Sequence, residues 1–436
     1  MAMDTAPEPG PLGGGIGAVS SGPAFVLQMR EPHGLSDGDR VRIGPPLTNG
    51  GQPRLFYVQC SGSQPNEFTP FKDADLKIPA PSDGIAAGAD VTRLAVQDYA
   101  VVAGINYYPS YSSLNGAVGD ARRFAAWLKS NAFLPEDQIF EIEASSTAPS
   151  CLEEARPWLD DIKTRFETLA QLAAKKDLYH LGRRLYIFLS GHGILPAGGN
   201  LLDAGEAALL MANTSSLTMG NHIAARAYAE RFRAAAVFDE VVVLADCCRD
   251  WEEGVPLTMP VFTLKLKREK PGMKFYLRAT QMDSKSREKS MGTPPEYRGI
   301  FSSVLMDALD SPGLCDRNGV LTGKILADRV TNDVWLQTKK QMPEPEYDPD
   351  FVFLKRHVPP PPNVTIRFEP SVYGQTFDIR GGKNFPNPDA TRTASPVAWD
   401  EVLDAPPWIY VLKSRETGKE TVIILDGSRE KVVDVV

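Results

Sequence analysis

The stretch Val241–Asp250, VVVLADCCRD, carries most of the information about the fold. Its first five residues are apolar and mostly β-branched, which is typical of a strand buried on both faces of a parallel sheet. The apolar run ends in an acid, two cysteines and an arginine. Loops at the carboxyl ends of parallel strands converge over a crevice in which ligands and chemistry collect. A thiol at this position is therefore a candidate nucleophile.

A second buried-strand pattern ends in a candidate base. The run Arg184–Leu189 is followed by S-G-H-G at 190–193, and of the five histidines only His192 comes just past a buried strand between two glycines. A cysteine of ordinary pKa, about 8.5, needs an adjacent base or cation to attack as a thiolate. One strand-helix-strand crossover fits between the two stretches, so we expect both strand ends at one sheet edge. The backbone N–H groups of Gly193 and Cys248 would then suit an oxyanion.

Strand and helix patterns alternate around these two stretches. Further buried-strand patterns lie at Tyr99–Ile105 and Lys274–Ala279, and amphipathic helical patterns include Leu114–Lys129 and a segment that begins at Leu159. Alternation of this kind predicts an α/β domain with a largely parallel sheet. We place this domain at residues 99–355.

The composition of the rest of the chain predicts where further domains and linkers lie. A length of 436 residues favours two or three domains. Residues 1–22, rich in Gly, Pro, Ala and Ser, are expected to be disordered. Short apolar bursts between turn residues predict a small β-rich module at 23–80, followed by a linker at 81–98. A proline-rich linker at 356–362 precedes a predicted β-sandwich-like domain at 363–436.

Composition and charge also exclude several functional classes. A net charge of −8, with no basic stripe between aromatic residues, argues against a nucleic-acid partner. No apolar run approaches the ~18 residues of a membrane span, and the N-terminus lacks the pattern of a secretory signal. Five cysteines leave at least one thiol free, which favours a reducing cytoplasm. We find no carboxylate-rich loop of the calcium-binding kind and predict no metal or cofactor.

With these segments in this order, the sequence resembles the caspase-like peptidases, which comprise caspases, metacaspases and their bacterial relatives. The resemblance covers roughly Tyr99–Leu354 and rests on YAVVAGIN, LNGAVGDARRF, YIFLSGHG and VVLADCCRD. It implies an α/β/α sandwich with a largely parallel central sheet, flanked here by small β-rich domains. It also implies a cysteine endopeptidase acting on protein or peptide substrates, in which His192 is the base and Cys248 the nucleophile.

The same resemblance distinguishes between the two adjacent cysteines. Metacaspase-like members have an Asp two residues before the nucleophile, which matches Asp246, and caspases commonly have an Arg directly after it, which matches Arg249. Both matches select Cys248 and leave Cys247 as a small buried hydrophobe. The following residues, Cys-Arg-Asp-Trp, depart from both family patterns, so the adjoining loop is not predicted.

Two acids suggest the substrate specificity. In metacaspase-like relatives the Asp at the position of Asp246 and an Asp in an early G-A-x-x-D-A segment, here Asp120, form an acidic pocket for Arg or Lys. Two converging carboxylates repel each other unless a cation lies between them, and a guanidinium satisfies both. The alternatives are a turn acid at Asp246, an exposed helix acid at Asp120, or cleavage after Asp with basic pocket residues. The arginines available for that last pocket are Arg122, Arg123 and Arg278.

Three further expectations concern regulation and role. Basic residues at 265–270 and 285–298 indicate either a solvated charged surface or a self-cleavage loop of an enzyme with basic specificity. The flanking β-rich domains would recruit a substrate or an activating protein, and bacterial relatives often belong to stress or defence systems. The competing hypothesis is a catalytically silent scaffold that keeps the fold for partner binding.

Overall fold

The structure is a computed structural model. It describes residues 10–12, 16–19, 26–30, 35, 40–43, 54–60, 67–71, 91–94, 97–176, 179–197, 206–264, 270–291, 296–316, 318–356, 364–381, 388–401, 403, 408–425 and 431–435. The chain forms two compact units, Met1–Gly272 and Met273–Val436.

The first part of unit 1 is a seven-stranded sheet of order β1-β7-β4-β5-β6-β3-β2, with antiparallel neighbours throughout. Alternation along the strands produces its core: in β4, for example, Val41 and Ile43 are buried while the two arginines are partly exposed. The strands are β1 (Gly10–Pro11), β2 (Ile16–Val19), β3 (Leu27–Met29), β4 (Arg40–Ile43), β5 (Arg54–Cys60), β6 (Glu67–Phe71) and β7 (Val91–Arg93).

Three of these strands, β1, β2 and β7, fall where composition predicted no regular structure. Disorder was expected over 1–22, yet Ile16–Val19 is a strand that pairs with β3, and Ile16 is completely buried. The expected linker 81–98 likewise contains β7, which pairs with β4 and with β1. Both expectations are corrected at these strands, because a few apolar anchors and sheet pairing outweigh a Gly/Pro-rich composition.

The second part of unit 1 contains four parallel strands in the order β9-β8-β10-β14, as the alternation of patterns predicts. In β10 and β14 nearly every residue is buried, as expected for strands covered on both faces. The elements are β8 (Asp98–Gly104), α1 (Ala117–Ser130), β9 (Ile139–Ile142), α2 (Leu159–Ala174), β10 (Gly182–Gly191), β11 (Gly193–Ala197), β12 (Ala208–Leu210), β13 (His222–Ala224), α3 (Ala225–Ala234), β14 (Phe238–Cys247) and β15 (Asp250–Glu253).

A small second sheet, β13-β12-β11-β15, lies directly after the candidate base and nucleophile in the sequence. Strand β11 begins one residue after His192, and β15 begins two residues after Cys248. The two strands pair in parallel, with Ile194 opposite Asp250. The segments that follow the two candidate residues are therefore also neighbouring, hydrogen-bonded strands.

Unit 2 contains antiparallel pairs and two helices, followed by a β-rich segment. Strand β16 pairs with β20, β17 with β18, and β19 with β21, while β22–β28 form a three-stranded and a four-stranded sheet around one apolar core. The elements are β16 (Met273–Arg278), β17 (Glu288–Met291), β18 (Glu296–Gly299), α4 (Ile300–Asp310), β19 (Val320–Thr322), α5 (Gly323–Thr338), β20 (Glu344–Tyr347), β21 (Val352–Lys355), β22 (Val364–Phe368), β23 (Thr376–Gly381), β24 (Pro388–Thr393), β25 (Trp399–Glu401), β26 (Trp408–Ser414), β27 (Glu420–Leu425) and β28 (Lys431–Val435).

Candidate active site

The candidate base and nucleophile follow the ends of adjacent parallel strands. Strands β10 and β14 pair over nine registered positions, ending with Ser190 opposite Asp246 and Gly191 opposite Cys247. His192 and Cys248 are the next residue on each strand. Since neighbouring strands lie about 4.8 Å apart, the two backbones run side by side at this point.

Gly193 brings the two chain segments still closer. A Cβ atom built at this glycine would lie 2.6 Å from the Cys248 carbonyl oxygen and 2.6 Å from the Cys247 Cβ. No side chain fits at such distances, so a residue with a Cβ would separate the strand ends. This contact places the proposed oxyanion donor, Gly193, directly against the backbone of the candidate nucleophile.

The His192 imidazole is held by a backbone carbonyl. Its Nε2 lies 2.7 Å from the Ser112 carbonyl oxygen in the loop between β8 and α1. A carbonyl oxygen only accepts, so Nε2 carries the proton of the neutral ring and Nδ1 keeps the lone pair. The arrangement leaves Nδ1 as the nitrogen that can act as a base.

Two tyrosines of the same loop pack on this imidazole. The Tyr108 ring meets it edge-on, with centroids 4.8 Å apart, and the Tyr111 ring lies tilted at 5.8 Å. From the sequence alone, no role was assigned to these tyrosines or to Ser112. A backbone carbonyl has no sequence signature, because every residue carries one.

Burial distinguishes the two cysteines. Cys247 is 1% exposed, and burial raises the pKa of its thiol, with the neighbouring Cys248 and Asp246 adding to the effect. Cys248 is partly exposed, and none of the five cysteines, all of which lie among the described residues, forms a disulfide. A thiolate is thus disfavoured at Cys247, whereas Cys248 is partly accessible to solvent.

The residue after the candidate nucleophile is anchored in the protein interior. Arg249 is fully buried, and its Nε donates a hydrogen bond to the Glu206 carbonyl oxygen at 3.0 Å. The Glu206 carboxylate in turn accepts the backbone N–H groups of Arg226 and Ala227 at the start of α3. Burial raises the pKa of Glu206, an effect that these hydrogen bonds oppose. Cys248 is therefore held between two buried neighbours.

The two candidate pocket acids are both buried. Asp246 is 4% exposed and lies within β14, and Asp120 is 1% exposed in the first turn of α1. The readings of Asp246 as a turn acid and of Asp120 as an exposed helix acid are therefore wrong. The Arg123 Nη1 lies 3.6 Å from the Asp120 Oδ1, so the Asp120 carboxylate already has a cationic partner within this chain. From the sequence, Arg123 was considered only as part of a pocket for a substrate Asp.

The first turn of α1 packs at the carboxyl ends of the parallel strands, where β14 also ends. Gly104 at the end of β8 is opposite Ser190, which is opposite Asp246. A Cβ at Gly104 would lie 2.2 Å from the Ala117 carbonyl oxygen, so the first turn of α1 rests directly on this strand end. Asp120 and Asp246 thus belong to elements that meet at the carboxyl ends of the parallel strands.

The basic segments are only partly described. Residues 265–269 lie outside the described residues, and Lys270 is exposed. In the segment 285–298, β17 and β18 form an antiparallel pair, with Lys289 opposite Arg298. This segment is therefore partly a hairpin rather than one continuous loop.

The comparison with protein families defines the class of the protein. The family model of the caspase domain, Peptidase C14, matches residues 97–353. This match covers more than half of the chain, and the chain belongs to the caspase-domain family of peptidases. Both the resemblance stated from the motifs and the predicted fold class are confirmed.

The solved structures add little to this assignment. Pro-sf-caspase-1 aligns at 12% identity over 61% of this chain and 93% of its own, with a TM-score of 0.33. Phthalate dioxygenase reductase, a modular electron-transfer protein, aligns at 14% identity over 41% of this chain and 59% of its own, with a TM-score of 0.12. Both TM-scores are too low to inform the fold. None of the curated proteins compared with the chain matches it.

A last observation concerns the helices of the described residues. None of them combines the length and the apolar composition that a crossing of the bilayer requires.

Proposed function

We propose that this protein is a cysteine endopeptidase that cleaves protein substrates after Arg or Lys, with His192 as base and Cys248 as nucleophile. The registered pairing of β10 and β14, which brings the two residues to adjacent strand ends, is the observation that carries this proposal. The accessible thiol and the imidazole oriented by Ser112 support it.

The chemistry follows from these groups. His192 Nδ1 takes the thiol proton of Cys248, and the thiolate attacks the scissile carbonyl carbon. The N–H groups of Gly193 and Cys248 stabilise the oxyanion of the tetrahedral intermediate. As the C–N bond breaks, His192 returns the proton to the leaving amine, and a thioester remains on Cys248. His192 then deprotonates a water molecule, which attacks the thioester carbonyl carbon; the C–S bond breaks, the product leaves with its new carboxyl group, and His192 returns the proton to the Cys248 thiolate.

The preference for a basic residue rests on the two buried acids. Asp246 lies two residues before the nucleophile, and Asp120 lies on the helix that packs at the same sheet edge. A substrate guanidinium or ammonium would neutralise Asp246 and compete with Arg123 for Asp120. A substrate carboxylate would be repelled by Asp246, which disfavours cleavage after Asp.

The remaining parts of the proposal concern the rest of the chain. The N-terminal and C-terminal β-rich segments are proposed to recruit a substrate or an activating protein, in a stress or defence pathway of a bacterial cell. A reducing compartment such as the cytoplasm would keep the Cys248 thiol usable. Self-cleavage within residues 265–270 would be compatible with a basic specificity.

A panel of peptides that differ only at the cleavage residue tests this function. We expect hydrolysis after Arg and Lys but not after Asp, measured with fluorogenic substrates with and without calcium. Cys248→Ala should abolish turnover, and the matched control Cys247→Ala should retain it. Asp246→Asn should lower kcat/KM for the Arg peptide about tenfold to a hundredfold, the equivalent of one charge-assisted hydrogen bond.

The other outcomes separate the alternatives. If no peptide is turned over under any of these conditions, the enzyme proposal is overturned in favour of a silent scaffold. A preference for Asp would leave the nucleophile in place but contradict the pocket formed by Asp120 and Asp246.

A further inference from the structure

One buried hydroxyl connects the candidate base to the small second sheet. Tyr108 is 3% exposed, and its Oη accepts a hydrogen bond from the backbone N–H of His192 at 3.1 Å. The same hydroxyl donates to the Leu210 carbonyl oxygen on β12 at 3.3 Å. Leu210 closes the circuit, because its N–H donates to the His192 carbonyl oxygen at 2.9 Å. The backbone of His192 is thus tied to β12 on both sides.

The Tyr108 ring acts on the imidazole itself. It meets the His192 ring edge-on at an interplanar angle of 64°, while the Ser112 carbonyl holds Nε2. Rotation of the imidazole is thereby limited by a ring contact and by a hydrogen bond.

The glycine before His192 makes room for this hydroxyl. Gly191 has a φ of +154°, and a Cβ at this position would lie 2.5 Å from the Tyr108 Oη. Any other residue would both strain the backbone and displace the hydroxyl. The position of the Tyr108 hydroxyl therefore explains why the first residue after the serine in the S-G-H-G segment is a glycine.

We propose that Tyr108 is a positioning residue for catalysis: its hydroxyl fixes the backbone of His192 and its ring fixes the imidazole plane, so that the Nδ1 lone pair is directed to the Cys248 thiol. This inference rests on the proposed dyad of His192 and Cys248. Burial also raises the pKa of the Tyr108 phenol, so the hydroxyl remains a neutral donor at physiological pH.

The kinetic test removes the hydroxyl and keeps the ring. Tyr108→Phe should lower kcat about fivefold, the equivalent of one neutral hydrogen bond, and should leave KM within about twofold. The matched control is Tyr228→Phe, which removes the hydroxyl of a buried tyrosine on α3 that packs on Phe166. That control should retain full activity. An unchanged kcat in Tyr108→Phe would overturn the proposal.

A second measurement does not depend on turnover. The rate of alkylation of Cys248 by iodoacetamide, followed against pH by peptide mass spectrometry, reports the thiolate fraction. In the wild-type protein the midpoint should lie below the ordinary thiol pKa of about 8.5, and Tyr108→Phe should move it towards that value. A wild-type midpoint at the ordinary value would overturn the dyad and, with it, the role of Tyr108. A lowered midpoint shared equally by both proteins would overturn the role of Tyr108 alone.

Discussion

His222 shows how a single buried side chain holds the segment that follows the candidate nucleophile. Its Nδ1–H donates to the Met219 carbonyl oxygen at 2.8 Å, and its Nε2 accepts the backbone N–H of Thr258 at 3.1 Å. The Thr258 hydroxyl donates to the Gly220 carbonyl oxygen. Only the neutral imidazole can make both ring contacts, because protonated Nε2 cannot accept.

This contact predicts a loss of stability in acid. Burial lowers the pKa of His222 below its usual 6.5, so the unfolded chain binds the proton at a higher pH than the folded one. The stabilisation is fully present above pH 6.5 and is lost as the pH falls through the folded pKa. In His222→Gln the titratable group is gone, so the melting temperature of the wild type should fall more steeply between pH 7.5 and 5 than that of the variant. Parallel curves would contradict this account.

Residues differ in how far the sequence reveals them. His192 and Cys248 were identifiable as candidates because each has a reactive side chain at the end of an apolar run. Ser112 was not, because it contributes a backbone carbonyl, and the contact depends on how the loop between β8 and α1 closes over the strand. The ion pair between Asp120 and Arg123 was missed although the i,i+3 spacing could have indicated it.

At the scale of elements, the position of Asp120 depends on how α1 packs on β8. The helix approaches so closely that a Cβ at Gly104 would lie 2.2 Å from the Ala117 carbonyl oxygen and 2.7 Å from the Ala121 Cβ. At Gly119, on the same helix, a Cβ would have no atom within 4 Å apart from the adjoining residues and the backbone of its own helix.

These two glycines make a matched pair of variants. Gly104→Ala should lower the free energy of unfolding by about 1–3 kcal/mol, because the backbone of α1 has to move. Gly119→Ala should raise it by about 0.5–1 kcal/mol, because alanine suits an open helical position better. Chemical denaturation measures both changes. A Gly104→Ala protein as stable as the wild type would show that α1 does not pack on β8 in this way.

Elements with a long buried face or a long buried run were predictable, and the short strands of the second sheet were not. The pattern at Leu114–Lys129 corresponds to α1, because a helix with one buried face spaces its apolar residues regularly, and the continuous apolar run at Arg184–Leu189 corresponds to β10, because that strand is buried on both faces. Strands β11, β12, β13 and β15, of three to five residues, are too short to show such a spacing.

For the molecule as a whole, the parallel sheet of unit 1 separates structural charges from the proposed chemistry. At the amino-terminal ends of its strands, Arg184 on β10 lies opposite Asp98 on β8 and opposite Glu240 on β14. The Arg184 Nε donates a hydrogen bond to the Glu240 carboxylate at 2.6 Å. Asp98 and Arg184 are buried, so these charges neutralise one another inside the protein. His192 and Cys248 lie at the other end of the sheet, just past the carboxyl ends of β10 and β14. The fold class was predictable from alternating strands and helices together with the family motifs, because both are local in sequence, whereas the small second sheet depends on pairing between distant segments.

Covalent trapping tests the central claim, that Cys248 is the nucleophile of an endopeptidase with basic specificity, most directly. The protein is incubated with a peptidyl-arginine acyloxymethyl ketone, and the adduct is located by intact-mass and peptide mass spectrometry. We predict one adduct per chain on Cys248, absent from Cys248→Ala, retained by Cys247→Ala and slower to form with the corresponding aspartyl reagent. An adduct on Cys247, or none on the wild-type protein, would contradict the account.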